Sequence, residues 1–317
     1  MVRSRPGGIT IKAMINPVIA VIAPGMMGAA VGRRLADHGA KVLTSLTGRS
    51  RSTAARANEA GLLAASDSEI ASADFFLSIV PPGEALTLAE RFAPALKASN
   101  TKPVYVDCNA INPTTIARVA GLIEPTGCAF VDCGIIGPPP PHVAAPQAAD
   151  GEVGVTGPRF YASGAAAVQF ISLRKYGLDV RMLDGPLHAA SALKMSYAGI
   201  TKGTQAIGAA MMLAATRAGS ADALYEELAY SQKALLQQFE RQLPMMPAKA
   251  YRWVAEMEEI AGFVGGGSAA SELYEGAAHF YQRIAEDFAG SKENSRALEA
   301  FLKKRSPNKQ ASPRRTD

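Results

Sequence analysis

A glycine turn between a predicted strand and a predicted helix is the first segment whose residues point to chemistry. Apolar residues at 18–23 lead into Ala23-Pro24-Gly25-Met26-Met27-Gly28, and an amphipathic pattern follows. Amides at a helix N-terminus bind phosphate when no side chain blocks the approach. We therefore expect a pyrophosphate here, with Gly25, Met26, Met27 and Gly28 as contacts. The turn departs from G-x-G-x-x-G at Ala23, and Pro24 removes one amide donor.

The residues after the second predicted strand bear on which nucleotide would fit. Residues 41–46 have a strand pattern, and Arg49, Ser50 and Arg51 follow. In a dinucleotide-binding fold this position meets the adenosine ribose, where an acidic residue would bind the 2′-hydroxyl of NAD. No acidic residue occurs here, and two cations with a hydroxyl suit the 2′-phosphate of NADP. The alternative is that Ser50 or Ser52 caps the next helix while the arginines are only solvated.

A lysine in apolar company is the candidate for acid–base chemistry. Lys194 lies on a long predicted helix, 187–218, that is rich in small residues. Its polar neighbours one turn away are Ser191 and Tyr197. A lysine stem can also extend from a buried helix to water, which is the alternative interpretation. A helix that leaves a nucleotide domain is, however, where hydride transfer needs an acid or a base.

Strand and helix patterns alternate up to residue 184. Apolar strand patterns recur at 74–80, 104–107 and 129–133, separated by helical segments. This alternation predicts an α/β fold with a parallel, doubly wound sheet, whose ligand loops lie at the carboxyl ends of the strands. Val80, Pro81 and Asn109 fall at such ends, so we expect them to contact the cofactor.

The pattern after residue 185 is helical throughout. We expect a disordered extension (1–14), a Rossmann-type NADP-binding domain (15–184), an all-helical substrate and dimerisation domain (185–302) and a basic disordered tail (303–317). One face of the long alanine- and methionine-rich helix should pack on a second subunit, giving a homodimer. The alternative is a self-contained helical domain.

The net charge of +5 belongs to the two tails. Residues 303–317 are net +5 and residues 1–12 are net +3, so the part between them is net acidic. We therefore expect a small-molecule substrate and no nucleic-acid partner. No apolar run predicts a membrane span. Three cysteines, Cys108, Cys128 and Cys133, lack metal-ligand spacing and are predicted to be buried thiols of a cytoplasmic protein that binds no metal.

Six segments, in order, resemble those of the β-hydroxyacid dehydrogenase superfamily, which includes 6-phosphogluconate and 3-hydroxyisobutyrate dehydrogenases. The chain most resembles a subgroup of phosphogluconate dehydrogenase-like proteins that has a distinct C-terminal domain. The matching segments are 23–28, 48–50, 78–82, 107–113, 132–137 and Lys194. The resemblance implies a Rossmann-type domain followed by an all-α domain, and it implies that Lys194 is the catalytic lysine.

The resemblance also implies where the substrate binds. The family's D-A-P-V-S-G signature matches a segment that includes Gly134, Ile135, Ile136 and Gly137. Three departures remove polar partners of a substrate carboxylate. Ile136 replaces a serine, Ala198 replaces an asparagine, and Glu256 aligns with the family's second substrate lysine. Tyr197 could replace the missing asparagine as a hydrogen-bond partner.

These observations predict an NADP(H)-dependent oxidoreductase. It would transfer a hydride between nicotinamide and a small hydroxy or keto substrate, with Lys194 as general acid and base. An imine or bulky-ketone reductase on the same scaffold is one alternative, and a non-catalytic NADPH-binding protein is another. An S-adenosylmethionine enzyme also uses a glycine turn after its first strand, but Arg49 and Lys194 disfavour it.

Overall fold

The computed structural model describes residues 16–142 and 157–303, and the chain divides into two compact units between Lys194 and Met195. The predicted extension at 1–14 and the basic tail after residue 303 lie outside the described residues.

The first unit is built on an eight-stranded sheet. Its strands are β1 (Val18–Ile22), β2 (Lys41–Thr44), β3 (Leu63–Ala64), β4 (Phe75–Ser78), β5 (Val104–Asp107), β6 (Phe130–Ile136), β7 (Arg159–Ser163) and β8 (Asp179–Met182). Their spatial order is β3-β2-β1-β4-β5-β6-β7-β8. Strands β1 to β6 are parallel, whereas β7 runs antiparallel to β6 and pairs in parallel with β8. The order reverses between β1 and β4, which creates the switch point where ligands bind in such sheets.

Helices connect the strands and make up most of the second unit. They are α1 (Met26–Asp37), α2 (Arg51–Glu59), α3 (Asp67–Ile70), α4 (Ala85–Ala98), α5 (Pro113–Ile123), α6 (Ala167–Phe170), α7 (Ala189–Arg217), α8 (Ala221–Ser231), α9 (Lys233–Gln242), α10 (Ala250–Phe263), α11 (Ala269–Ala289) and α12 (Glu293–Lys303). The predicted fold class, an α/β doubly wound sheet followed by an all-α region, is confirmed.

The central strands of the sheet are buried on both faces, as strands of a parallel sheet covered by helices must be. Strands β4 and β5 are wholly buried and β1 is almost wholly buried, whereas the edge strand β3 is exposed. On one face Phe76, Tyr105 and Phe130 occupy aligned positions of β4, β5 and β6 and stack with ring centroids 4.7 and 5.7 Å apart. This aromatic row fixes the lateral register of the three strands that end at the candidate site.

Strand β6 is longer than its sequence predicts. Gly134, Ile135 and Ile136 continue the strand because they pair with Tyr161, Phe160 and Arg159 of the antiparallel β7. The following Pro138–Pro141 run suggested a loop, and β7 lies too far along the chain to leave a local signal. Gly134, Ile135 and Ile136, which the resemblance assigns to the substrate segment, are therefore held in the sheet.

The second unit consists of helices packed through small residues. A Cβ on Gly208 of α7 would lie 2.4 Å from the ring of Phe239 on α9. A Cβ on Gly199 would lie 3.0 Å from the hydroxyl of Tyr274 on α11. Close helix contact in this unit thus depends on the glycines that make α7 rich in small residues.

The first turn of α7 belongs to the first unit, so the division at 194 falls later than the predicted boundary at 184. The reason is physical, because hydrogen bonds described below tie residues 190 and 191 to β6 and β7. The sequence indicates a boundary at 184–185, but no local pattern in it indicates these hydrogen bonds.

The turn between β1 and α1 contains two glycines with different structural roles. A Cβ on Gly28 would lie 2.1 Å from the carbonyl oxygen of Ala23, so only glycine allows α1 to pack this closely on the end of β1. A Cβ on Gly25 would meet no heavy atom within 4 Å. Gly25 has φ −68°, which any residue adopts, so its lack of a side chain leaves open space above the turn.

These two glycines form a matched pair for mutation. We expect Gly28→Ala to lower the free energy of unfolding by about 1–3 kcal/mol, because a backbone oxygen must move. Gly25→Ala should change it by less than about 0.5 kcal/mol. Urea unfolding monitored by circular dichroism measures both. Equal stability of the two variants would contradict the close packing of α1 on the end of β1.

Candidate functional site

The predicted site residues of the first unit lie at the carboxyl edge of its sheet. Each of these residues ends or follows a strand. Each such strand lies next to another strand that is followed by predicted site residues. They are Gly25, Met26, Met27 and Gly28 after β1, Arg49 and Ser50 after β2, Val80 and Pro81 after β4, Asn109 after β5, and Gly134–Gly137 at the end of β6. Strands β1 and β6 are three strand spacings apart, which is roughly 14 Å.

The amino end of α1 fits a dinucleotide phosphate. Gly25 is its N-cap and offers no side-chain hydrogen bond, and its carbonyl accepts the amide of Ala29 at 2.9 Å. Helix geometry leaves the first amides of α1, those of Met26, Met27 and Gly28, directed away from the helix body. Because the position above Gly25 is open, an anion can approach these donors.

Ser50 and Arg49 make different local contacts. The hydroxyl of Ser50 accepts the amide of Thr53 at 3.3 Å and so caps α2, as the alternative interpretation required. The guanidinium of Arg49 lies 3.8 Å from the carboxylate of Glu84, which follows β4. Arg56 of α2 lies 3.5 Å from the carbonyl oxygen of Pro24 in the glycine turn. The loops after β1, β2 and β4 therefore meet through charged side chains.

Asn109 joins the ends of two neighbouring strands. Its Oδ1 accepts the amide of Val80 at 2.7 Å, and its Nδ2 donates to the hydroxyl of Ser78 at 2.8 Å. Its own amide donates to Asp107 at 3.0 Å. The side chain is buried, so the arrangement fixes the loop that begins at Val80.

Two buried carboxyl groups lie side by side beneath this edge. Asp107 and Asp132 are register partners on β5 and β6. Burial raises the pKa of Asp107 to about 7, and the charge of Asp132 adds to that rise. Burial also raises the pKa of Asp132 to about 6, although hydrogen bonds from Ser191 and Ser163 oppose the rise. Of the two, Asp132 is the group better stabilised as a carboxylate.

Asp132 holds the start of α7. Its two oxygens accept the amide of Ser191 at 2.7 Å and the hydroxyl of Ser191 at 2.6 Å. The hydroxyl of Ser163 lies 3.4 Å from the same carboxylate, donates to the carbonyl of Leu187 at 2.7 Å and accepts the amide of Ala190 at 3.0 Å. A carboxylate at a helix N-terminus is favoured by the free amides and the helix dipole.

Lys194 lies one turn beyond this anchor and points to the end of β6. Its Nζ donates to the carbonyl oxygen of Ile135 at 2.9 Å. A Cβ on Gly134 would lie 2.8 Å from the carbonyl of Ala190 and 3.1 Å from the Cβ of Lys194. Gly134 thus allows α7 to lie directly on β6. The structure brings Lys194, Gly134 and Ile135 together.

Tyr197 and Glu256 belong to the second unit. The ring of Tyr197 on α7 is half exposed. Glu256 of α10 is buried and forms an ion pair with Lys202 of α7, whose Nζ also lies 5.1 Å from the ring centroid of Trp253. The hydroxyl of Tyr281 donates to the carbonyl of Lys202 at 2.6 Å. Glu256 therefore has a partner within its own unit.

Sequence reasoning missed three residues that shape this edge. Asp132 and Ser163 position α7, and Glu84 contacts Arg49. The sequence gives one indication of the role of Asp132. It is an acidic residue in a buried strand, and a buried carboxylate requires a partner. The sequence gives no such indication for Glu84, because its partner Arg49 lies on another loop.

Comparisons with known proteins show what the chain is similar to. Residues 18–147 match the model for the NAD binding domain of 6-phosphogluconate dehydrogenase, and residues 215–284 match a domain of unknown function, DUF1932. A solved conserved protein of unknown function, described as structurally similar to 3-hydroxyacid dehydrogenases, is 26% identical with a TM-score of 0.61. That alignment covers 89% of this chain and 98% of the other. The chain is therefore similar to proteins of the β-hydroxyacid dehydrogenase superfamily, as its sequence predicts.

Two further proteins are similar to this chain. An uncharacterised 28.5 kDa protein from Methanothermus fervidus, from a 7S RNA 5′ region, is 27% identical over 190 residues, which cover 59% of this chain and 67% of that protein. The Mycobacterium tuberculosis 3-hydroxyisobutyrate dehydrogenase, solved with L-serine, is 17% identical with a TM-score of 0.63. It covers 90% of this chain and 99% of its own and shows the shared fold.

The comparisons support the predicted fold and the general class of cofactor. The chain has the fold of a hydroxyacid dehydrogenase-like oxidoreductase and a domain for a nicotinamide cofactor, so these predictions are confirmed at that level. The predicted burial of Cys108, Cys128 and Cys133 is also confirmed. Within residues 16–142 and 157–303, no helix has the length and apolarity that a bilayer crossing requires.

The anchor at Asp132 can be tested directly. We expect Asp132→Asn to lower the free energy of unfolding by about 1–3 kcal/mol, because one of the two Ser191 donors then faces an amide nitrogen. Hydrogen exchange of the amides at 191–194 should also accelerate. Asp184→Asn, which removes an exposed carboxylate nearby in sequence, is the matched control and should change neither. Unchanged exchange in Asp132→Asn would show that α7 begins without this anchor.

Proposed function

We propose that the protein is an NADP(H)-dependent oxidoreductase acting on a small hydroxy or keto substrate, with Lys194 as general acid and base. The observation that carries the proposal is the hydrogen bond from Lys194 Nζ to the carbonyl of Ile135 at 2.9 Å. It holds an amine at the same sheet edge as the glycine turn, inside the unit that contains the nicotinamide-binding domain.

Each part of the edge has a separate task. The amino end of α1 would hold the pyrophosphate, and the loops at Val80 and Asn109 would shape the wall between it and β6. A bound nicotinamide supplies or accepts the hydride. During reduction the Lys194 ammonium gives its proton to the carbonyl oxygen as the carbon gains the hydride. During oxidation the neutral amine takes the hydroxyl proton as the hydride leaves.

The preference for NADP is supported by charge at the adenosine end. Arg49, Arg51 and Arg56 lie on the β2 loop and α2, and Arg56 reaches the glycine turn. Guanidinium groups bind phosphate through charge-assisted hydrogen bonds. Ser50 is committed to capping α2, so the proposal rests on the arginines rather than on this hydroxyl.

A bulky-ketone or imine reductase is the second candidate. Ile136, at the end of β6, places an apolar side chain on the substrate segment where the family has a serine. An apolar wall favours a substrate with less charge than a simple hydroxy acid. A turnover screen across hydroxy acids, ketones and imines, each with NADPH, separates the candidates.

A homodimer also remains a prediction. Tyr197, Ile200, Ile207 and Met211 are half exposed or more, and they follow one face of α7. Apolar exposure along a helix favours burial against a second copy. Light scattering at micromolar concentration should give the mass of a dimer, and a monomer would contradict this proposal.

Lys194 provides the test of the catalytic proposal. We expect Lys194→Ala to lower kcat by about 10²–10⁴-fold and to leave the Kd for NADPH nearly unchanged. Lys194→Arg should be almost as inactive, because a guanidinium does not release its proton near neutral pH. Lys175→Ala, at an exposed lysine of the same unit, is the control.

The opposite result is equally clear. Full turnover of Lys194→Ala together with an inactive Tyr197→Phe would assign the proton transfer to the tyrosine. Wild-type protein that fails to bind either NADPH or NADH in a fluorescence titration would overturn the proposed function as a whole.

A further inference from the structure

An acidic side chain from the loop after β4 lies where the adenosine of the cofactor is proposed to bind. The loop after β2 has no acidic side chain, and for this reason its sequence predicts NADP rather than NAD. Glu84, from the loop after β4, supplies a carboxylate 3.8 Å from the guanidinium of Arg49. The side chain of Arg49 is 27% exposed and that of Glu84 is 53% exposed, so both are open to a ligand in solution.

The loop that presents Glu84 is firmly held. It begins at Val80, whose amide donates to Asn109, and continues through Pro81 and Pro82, whose rings fix φ. It ends in a short 3-10 turn, Pro82–Glu84, in which the amide of Glu84 donates to the carbonyl of Pro81 at 2.9 Å. The backbone of Glu84 is therefore fixed relative to β4 and β5, although its side chain retains rotamer freedom.

The position of the carboxylate has an electrostatic consequence. A phosphate that binds the Arg49 guanidinium must come within several ångströms of Glu84 or displace it. At about 7 Å in a water-like medium, repulsion between a dianion and a carboxylate changes affinity by roughly three- to thirtyfold. NADH has no 2′-phosphate, so it does not meet this repulsion.

We propose that Glu84 is a cofactor-specificity residue that opposes the 2′-phosphate at Arg49 and so limits the preference for NADPH over NADH. The inference rests on the proposed cofactor site, and it adds the acidic group that the sequence of the β2 loop lacks. Glu84 pairs with Arg49 when no phosphate is bound and competes with the phosphate when one arrives.

Direct binding tests this proposal without any substrate. NADPH and NADH are titrated by fluorescence into the purified full chain and its Glu84→Gln and Glu84→Lys variants. We expect Glu84→Gln to tighten NADPH binding about three- to thirtyfold, with less than about a twofold change for NADH. Glu84→Lys should shift the ratio further in the same direction. Glu90→Gln, an exposed acid on α4 with the same change of charge, is the control and should alter neither Kd.

Three outcomes overturn the proposal. NADPH affinity that is unchanged in both variants shows that Glu84 does not sense the phosphate. Equal tightening of NADPH and NADH shows that its charge acts on the pyrophosphate instead. Weaker NADPH binding shows that the ion pair helps Arg49 to bind phosphate.

Failure of the proposed function gives a different pattern. Arg49→Gln should weaken NADPH binding and leave NADH binding nearly unchanged. Arg118→Gln, at an exposed arginine of α5, should change neither. If Arg49→Gln weakens both cofactors equally, the NADP assignment fails. If Arg49→Gln discriminates and the Glu84 variants do not, only the role proposed for Glu84 fails.

Discussion

The carboxylate of Asp132 is the interaction on which the geometry of the candidate site depends. It is fully buried, and isolation of such a charge would cost several kcal/mol. Two donors of Ser191 at 2.6 and 2.7 Å and the amino end of α7 offset that cost. Burial raises the pKa of Asp132 to about 6, and the hydrogen bonds from Ser191 oppose that rise. One buried group therefore fixes both where α7 begins and how it is rotated.

The rotation of α7 decides which side chain reaches β6. Ser191 faces Asp132, so a residue three positions later lies on the same face one turn along. That residue is Lys194, and its amine meets the carbonyl of Ile135, three residues after Asp132 on β6. Gly134 lies between them, and its missing Cβ leaves room for the backbone of Ala190. Asp132, Gly134, Ser191 and Lys194 thus form one geometric unit in which a change at any member moves the amine.

Local patterns predicted much of the fold and rather less of the site. Strands β1 and β5 and helix α7 follow from apolar runs and small-residue patterns, which act over a few residues. The extension of β6 depends on pairing with β7, and no local pattern reports it. Likewise, 59 residues separate Asp132 from Ser191, and Glu84 meets Arg49 only because two loops share a sheet edge. Contacts of this kind come from topology, which a single sequence specifies only indirectly.

The second unit shows how a charge reversal can be accommodated without a ligand. Glu256 stands where the resemblance implied a substrate lysine, and a buried carboxylate without a cation would be strongly unfavourable. Lys202 of α7 supplies the cation, Trp253 covers its ammonium group, and Tyr281 binds its backbone carbonyl. The stability of Glu256 is therefore explained by residues of its own unit, with no need of a substrate.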